Sequence, residues 1–338
     1  MTRIGIALVG LGPGSQPHLK SLADLQHRAE LRHAVCRRPA QADLGPFAGR
    51  VAATADLDAV LADPLVQAVI VATPAGTHLD IASRCLAAGK HTLVEKPLET
   101  SLARAQALVE RSRASGLRFG VVLQHRFRPG SIRLRVLLAE GALGPVQFAS
   151  VRVPWWRPQA GYYDQPGRGT RERDGGGVLL TQAIHTLDLF LSLAGPVAEL
   201  SAHHLNSGLR AIDTEDVATA TLRFASGAIG SIDATSTAFP GYPERIELAG
   251  ERGAAVLEAE RLSVRLMDGT TIEAGSGGGG GGGADPMAFS HEANTRLLAD
   301  FLDAIDEDRD PRTNGRSALH VHRLIDAMLR SEGRPVAP

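Results

Sequence analysis

A chain of 338 residues with 43% hydrophobic side chains holds more than one marginal core needs, and points to one large domain or two ordinary ones. Its 36 basic and 37 acidic side chains leave a formal charge of −1, which gives no electrostatic reason to expect nucleic acid or an anionic membrane as partner. Two cysteines, Cys36 and Cys85, exclude a disulfide framework and have no zinc-binding spacing. The N-terminus lacks the basic, apolar and cleavage regions of a signal peptide, and no apolar run approaches about 18 residues. The expectation is a soluble protein of a reducing, cytoplasmic compartment, without a membrane partner.

Residues 1–124 alternate short apolar runs with helical periodicity. Arg3–Val9, Leu31–Cys36, Ala68–Ala72, His91–Val94 and Arg118–Leu123 read as strands. His18–Arg28, Asp56–Leu61, Thr77–Ala88 and Ser101–Ser115 read as helices. Gly89 and Gly116 stand where left-handed caps belong, and Thr100 where an N-cap does. Strands that are apolar throughout belong to a parallel sheet covered on both faces, so this part is a doubly wound α/β domain.

Residues 125–338 read differently, as a second domain. A helix over Pro129–Glu140 precedes a strand at Val146–Val153, a polar and aromatic loop, and a long apolar helix from Gly177 to Ala194. Successive strands follow from Val197 to Ile272. Ala218, Ala220, Leu222 and Phe224 alternate there with Thr219, Thr221 and Arg223, the period of a half-buried antiparallel strand. Helices near Ser290–Asp306 and Gly315–Arg330 close the chain, and the glycine run Gly277–Gly283 reads as a flexible connector.

The first strand runs into Gly10-Leu11-Gly12-Pro13-Gly14-Ser15. Gly10 and Gly12 permit a tight turn and close approach to a pyrophosphate seated on helix N–H groups, with Ser15 as a small residue at the packing position. The second strand ends in Cys36-Arg37-Arg38 rather than in a ribose-binding acid. Two arginines suit a 2′-phosphate, so NADP is expected over NAD. The chain has 33 arginines but only three lysines, Lys20, Lys90 and Lys96. Lys20 and Lys90 read as surface residues. Lys96 follows a strand, on the edge where open α/β sheets place ligands, and can supply a compact or titrating charge that arginine cannot.

On the apolar helix, Thr181, His185 and Asp188 stand four and three residues apart, so they share one face of a helix that is otherwise buried all round. Polar groups so placed must be satisfied or functional. The preceding loop packs Trp155, Trp156, Tyr162 and Tyr163 into nine positions beside Arg157, Arg168, Arg171 and Arg173. Rigid aromatic faces with guanidinium groups suit a sugar ring, its hydroxyls and a carboxylate or phosphate upon it, or else an aromatic subunit contact. The pairs His203-His204 and His320/His322 lack the partners of a metal site, so no metal is expected.

Taken together, the glycine turn with His18, Ala72-Thr73-Pro74 with His78, Glu95-Lys96-Pro97, and Asp174-Gly175-Gly176-Gly177 with His185 and Asp188 resemble the Gfo/Idh/MocA oxidoreductases. That family is named for glucose–fructose oxidoreductase and inositol dehydrogenase, and the match spans almost the whole chain. The resemblance implies a Rossmann domain binding a nicotinamide cofactor, a C-terminal α/β domain with a broad open sheet, and a homodimer or homotetramer built through that sheet. With the readings above, cofactor contacts are expected from Gly10, Gly12, Pro13, Gly14, Ser15, Arg37, Arg38, Thr73, Pro74, His78, Glu95, Lys96 and Gln124. Lys96 and His185 are implied as the catalytic pair flanking the reacting carbon. Substrate contacts are expected from those two with Thr181 and, in the loop, Trp155, Trp156, Arg157, Tyr163 and Arg168. Many family members carry an aspartate where this chain has Thr181, and a hydroxyl cannot act as a carboxylate base.

The function expected is NAD(P)-dependent hydride transfer to or from a secondary alcohol or ketone of a sugar, cyclitol or related ring. Two alternatives stand beside it: glycoside cleavage on the same fold through transient oxidation and elimination, and a non-catalytic nucleotide sensor, which would need neither Lys96 nor His185.

Overall fold

The computed structural model describes residues 3–275 and 290–338, and the glycine run Gly277–Gly283 lies outside them. Two compact units form, Met1–Gln124 with Ser290–Leu319, and His125–Phe289 with His320–Pro338.

The first unit carries strands β1 (Ile4–Val9), β2 (Ala29–Val35), β3 (Ala53–Thr54), β4 (Ala68–Val71), β5 (His91–Val94) and β6 (Phe119–Val121). They pair in parallel in the order β3-β2-β1-β4-β5-β6, the order of a dinucleotide-binding sheet. Every residue of β1 and β4 is buried, which is why neither alternates. β3 has two half-buried residues, too few to leave a periodic signal. Helices α1 (Gln16–Asp24), α2 (Leu57–Ala62), α3 (His78–Ala87) and α4 (Leu102–Ser115) connect the strands.

Two expectations need correction here. Ser101, not Thr100, caps α4: its hydroxyl accepts from the Arg104 N–H at 3.3 Å, while the Thr100 N–H and hydroxyl both turn to Glu99. Lys90 is buried, and its Nζ donates to the carbonyls of Asp63 and Val66 at 2.9 and 2.8 Å. Gly89, with φ of 74°, turns the chain beneath the α2–β4 connection, whose carbonyls the ammonium satisfies.

The second unit begins with α5 (Pro129–Ala139), followed by β7 (Val146–Pro154), the short α6 (Arg171–Asp174) and α7 (Ile184–Ala194). Strands β8 (Val197–Leu205), β9 (Val217–Phe224), β10 (Ile229–Thr235), β11 (Arg245–Gly250), β12 (Gly253–Glu258), β13 (Arg261–Leu266) and β14 (Thr271–Ala274) complete an open sheet with β7. Its order is β14-β13-β12-β11-β7-β10-β9-β8, antiparallel except where β7 meets β10. Leu222, Phe224, Ile232, Leu248 and Leu257 fill the inward face against Leu134, Leu187 and Phe190. The apolar alternation is thus consumed by the unit's own core. The outward face carries Thr219, Thr221 and Asp233, with Phe148 and Ile229 exposed beside them.

Helix α8 (Glu292–Asp306) does not join this sheet, so the expected second domain 125–338 is not one block. Phe301 packs where a Cβ on Gly120 of β6 would approach it to 3.2 Å, and Arg28 pairs with Asp303 at 2.7 Å. The sequence shows that α8 is amphipathic, but amphipathicity does not say which sheet receives the apolar face. Along α9 (Gly315–Ser331), Ala318 and Leu319 enter the first core, whereas Val321, Leu324, Ile325 and Met328 enter the second.

Candidate active site

Three turns leave the carboxyl ends of the neighbouring strands β1, β4 and β5, where an α/β sheet receives ligands. At the first, Gly10 has φ of 99°, and a Cβ there would stand 2.4 Å from the Ala72 carbonyl oxygen, so only glycine fits. A Cβ on Gly12 or Gly14 would meet nothing within 4 Å. The turn therefore faces open space. Pro13–Ser15 forms one 3₁₀ turn, which puts the start of α1 at Gln16 rather than at His18. Ser15 is fully buried and donates to the Gly12 carbonyl at 2.7 Å, as a small packing residue should. No acid stands in the first turn of α1, so its N–H end is left for an anion.

The second and third turns are tied together by His78, which is fully buried. One ring nitrogen faces the Thr73 carbonyl at 2.8 Å and the other the Pro97 carbonyl at 3.0 Å. Burial pushes its pKa down, opposed by those carbonyls and by Glu95 and Glu99. His78, expected among the cofactor residues, thus sets the spacing of two turns instead of presenting a free ring. Glu95 is an anchor too. Its carboxylate meets His18 Nε2 at 2.8 Å and accepts from the Lys96 N–H at 3.0 Å. Burial acts to raise the Glu95 pKa, but His18, the Lys96 charge and the backbone N–H outweigh it and hold the carboxyl below its usual range. The Lys96-Pro97 peptide is cis.

Arg37 and Arg38 are exposed just beyond β2, and among the described residues neither makes an ion pair. Gln124 keeps its Oε1 buried with no hydrogen-bond partner among the described residues. An open glycine cradle, an uncompensated helix N-terminus and a spare amide acceptor are what a dinucleotide cofactor needs, so these residues fit one.

In the second unit, Asp174-Gly175-Gly176-Gly177 is a turn packed against the segment that leads into β9. Gly175 takes φ of 78°, and a Cβ on Gly177 would stand 1.8 Å from the Glu215 carbonyl oxygen. The buried Glu215 carboxyl accepts from the Gly177 and Leu179 N–H groups at 2.9 and 3.2 Å. Burial raises its pKa against those bonds. Residues Leu179–Ala183 then form a π-turn before α7 begins. This wider turn removes Thr181 from the simple stripe expected with His185 and Asp188. Its hydroxyl lies 2.7 Å from the Gly177 carbonyl and 2.6 Å from Gln182 Oε1.

His185 is 8% exposed and stacks on His125, with ring centroids 5.0 Å apart and planes 27° from parallel. One helical turn on, Asp188 is 1% exposed and held by both arms of Arg126, at 2.6 and 2.5 Å. Burial pushes the Asp188 carboxyl up, and Arg126 opposes it. Asp188 is therefore satisfied structurally, while the ion pair clamps the His125–Arg126 segment to α7. Sequence reading passed over both partners. Their signal, a polar Gln124-His125-Arg126 run directly after a buried strand, names no partner.

The aromatic loop divides in two. Trp155 is buried, with Nε1 donating to Glu244 at 3.2 Å, and Glu244 in turn holds Arg128 at 2.5 Å. Tyr163 is buried, its hydroxyl 3.3 Å from Ser236. Arg210 covers the Trp156 ring at 4.7 Å, and Phe239 meets its edge. These three aromatics, expected to touch substrate, serve the packing of the unit. Around Tyr162 the arrangement differs: Arg157 and Arg168 both lie over its ring, at 5.5 and 4.6 Å, and Gln182 donates to its hydroxyl at 2.9 Å. Gln182 had no distinguishing signal in a buried apolar stretch.

Residues 4–123 match the oxidoreductase family with an NAD-binding Rossmann fold, and residues 132–256 match the GFO/IDH/MocA C-terminal domain. An uncharacterised oxidoreductase of Synechocystis sp. is 30% identical over 76% of this chain and 72% of its own length. The inositol 2-dehydrogenase of Rhizobium meliloti is 26% identical over 97% of this chain and 96% of its own. Among solved structures, the WlbA dehydrogenase from Bordetella pertussis in complex with NADH and UDP-GlcNAcA is 28% identical, with a TM-score of 0.83 over 100% of this chain and 99% of that one.

Proposed function

Because this chain belongs to the Gfo/Idh/MocA family of NAD-binding oxidoreductases, we propose that it transfers hydride between a nicotinamide dinucleotide and a secondary alcohol or ketone of a sugar, cyclitol or related ring. The observation that carries this reading is the position of Lys96. It leaves the carboxyl end of β5, two strands from the glycine turn at the end of β1, a lateral offset of roughly 10 Å at ordinary strand spacing. That offset is within the span of a dinucleotide bound along the sheet edge. The inositol dehydrogenase and the UDP-GlcNAcA-bound dehydrogenase among its relatives support a ring substrate.

When bound, the nicotinamide supplies the hydride acceptor for oxidation or the donor for reduction. Gly12, Gly14 and the first N–H groups of α1 hold the pyrophosphate, and Gln124 offers an amide oxygen. In oxidation His185 takes the hydroxyl proton while the Lys96 ammonium stabilises the developing alkoxide. A positioned cation away from bulk water is the larger effect, and general-base help adds about 10²–10⁴-fold. His125 stacks on the His185 ring, and Glu95, which accepts from the Lys96 backbone N–H, places a carboxylate charge beside that residue. The exposed Arg37 and Arg38 favour NADP over NAD, since guanidinium pairs bind a 2′-phosphate that a ribose-binding acid would repel.

Reduction of NAD and NADP should be followed with a panel of cyclitols, aldoses and sugar acids, together with the reverse reaction on the corresponding ketones. Sugar cleavage without net reduction of either nucleotide would transfer the chain to the elimination alternative. We also infer a homodimer or homotetramer through the outward sheet face, where Phe148 and Ile229 stand exposed among small polar side chains. Light scattering that reports a monomer at micromolar concentration would refute it.

A further inference from the structure

The arginines of the aromatic loop separate by what they already touch. Arg173 donates to the Pro166 carbonyl and lies 3.7 Å from Asp174, and Arg171 is exposed at the surface. Arg168 is different. Among the described residues it has neither an ion pair nor a side-chain hydrogen bond, although its Nε is buried. A buried donor without an acceptor is costly and calls for an occupant.

The acids nearby are engaged elsewhere. Asp174 accepts from the Gly169 N–H at 2.7 Å, Asp164 from the Gly161 N–H at 3.0 Å, and Glu215 from the turn before α7. Arg157, 2% exposed, brings a second guanidinium over the same Tyr162 ring; burial pushes its pKa down, with the Arg168 charge a smaller cause in the same direction and Tyr162 opposing. Two cations against one aromatic ring, Arg168 with an unfilled donor, form a receptor for a negative group. The receptor is tied to the reactive helix, because Tyr162 is bonded to Gln182 and Gln182 to Thr181, about one helical turn before His185.

We propose that the substrate carries an oxyanion, a carboxylate or a phosphate, which Arg168 receives with Arg157 beside it on the Tyr162 ring. The proposal rests on the dehydrogenase reading for the chemistry at His185, and narrows the substrate class from ring polyols to their anionic derivatives. Trp155 reports on the site, since Arg157 lies 5.0 Å over its ring.

The test uses the full chain at fixed ionic strength. Tryptophan fluorescence is titrated with glucose, glucuronate, glucose 6-phosphate and acetate, and the same sugars are assayed with NAD and NADP. A charged sugar should bind at least about tenfold more tightly than glucose, and Arg168→Gln should remove most of that advantage while Arg168→Lys keeps part. Whichever of glucuronate and glucose 6-phosphate gains more identifies the oxyanion. Equal binding of glucose, an advantage that survives Arg168→Gln, or no response to any charged sugar overturns the proposal. Oxidation of neutral polyols without preference for acids would sink the oxyanion receptor alone. Preferential anion binding with no nicotinamide turnover on any substrate would instead sink the dehydrogenase reading.

Discussion

Substituting Arg126 by alanine leaves the Asp188 carboxyl, 1% exposed, without either of its bonds at 2.6 and 2.5 Å. Breaking a buried pair from one side costs about 3–5 kcal/mol. Arg126 is itself 20% exposed, so water can enter the gap and the lower end, about 3 kcal/mol, is expected. The assay is selective, because both tryptophans, Trp155 and Trp156, lie in the second unit and denaturant unfolding followed by their emission reports that unit. Asp188→Asn in the Arg126→Ala background removes the stranded charge and should recover a large part of the loss. The pH dependence has a definite sign. Burial already raises the Asp188 pKa above its ordinary 3.8, and losing Arg126 raises it further, leaving His320 as the remaining opposing charge. The folded state then holds a proton that the unfolded chain releases, so stability falls as pH rises from about 4 through the raised value. The deficit of Arg126→Ala against wild type should therefore be larger at pH 8 than at pH 5. A deficit below about 1 kcal/mol, or one independent of pH, would mean that Asp188 is not a buried charge held by Arg126.

Lys96→Arg and Lys96→Ala should each lower turnover at least about a hundredfold, near 3 kcal/mol in the barrier, with a much smaller change in nucleotide affinity. An active Lys96→Arg enzyme would remove Lys96 from the chemistry. His185→Asn should retain nucleotide binding and leave a residual rate that rises with pH as hydroxide replaces the base; a flat residual profile argues against proton transfer at His185. Arg37→Asp should shift preference from NADP toward NAD, measured as the ratio of dissociation constants at fixed ionic strength, and a wild type that prefers NAD contradicts the reading of that position. Glu95, with its depressed pKa, contributes stability fully present above about pH 4.5 and lost as pH falls through the native value. His18→Phe should therefore move acid unfolding of the first unit, followed by circular dichroism, to higher pH, and an unshifted midpoint would show that His18 does not hold Glu95 ionised.

What was legible in the chain was local. Uniformly apolar β1 and β4, the alternation of β9 and the glycine turn each express a rule of period, burial or φ within a few residues, so the two sheets and the cofactor edge could be read directly. Lys96 and His185 stood out for the same reason, one at a strand end and the other in an apolar helix. The partners that make them usable could not be read. His18 meets Glu95 across 77 positions, and Arg126 meets Asp188 across 62, and nothing local marks two residues as a pair. The same limit hid the role of Lys90, the return of α8 to the first sheet, and the split of the aromatic loop into packing residues and the Tyr162 cluster. A side chain's type and period fix whether it must be buried or bonded. Which distant carbonyl, carboxylate or ring satisfies it is decided only when the sheets close and every buried polar group competes for the few partners within reach.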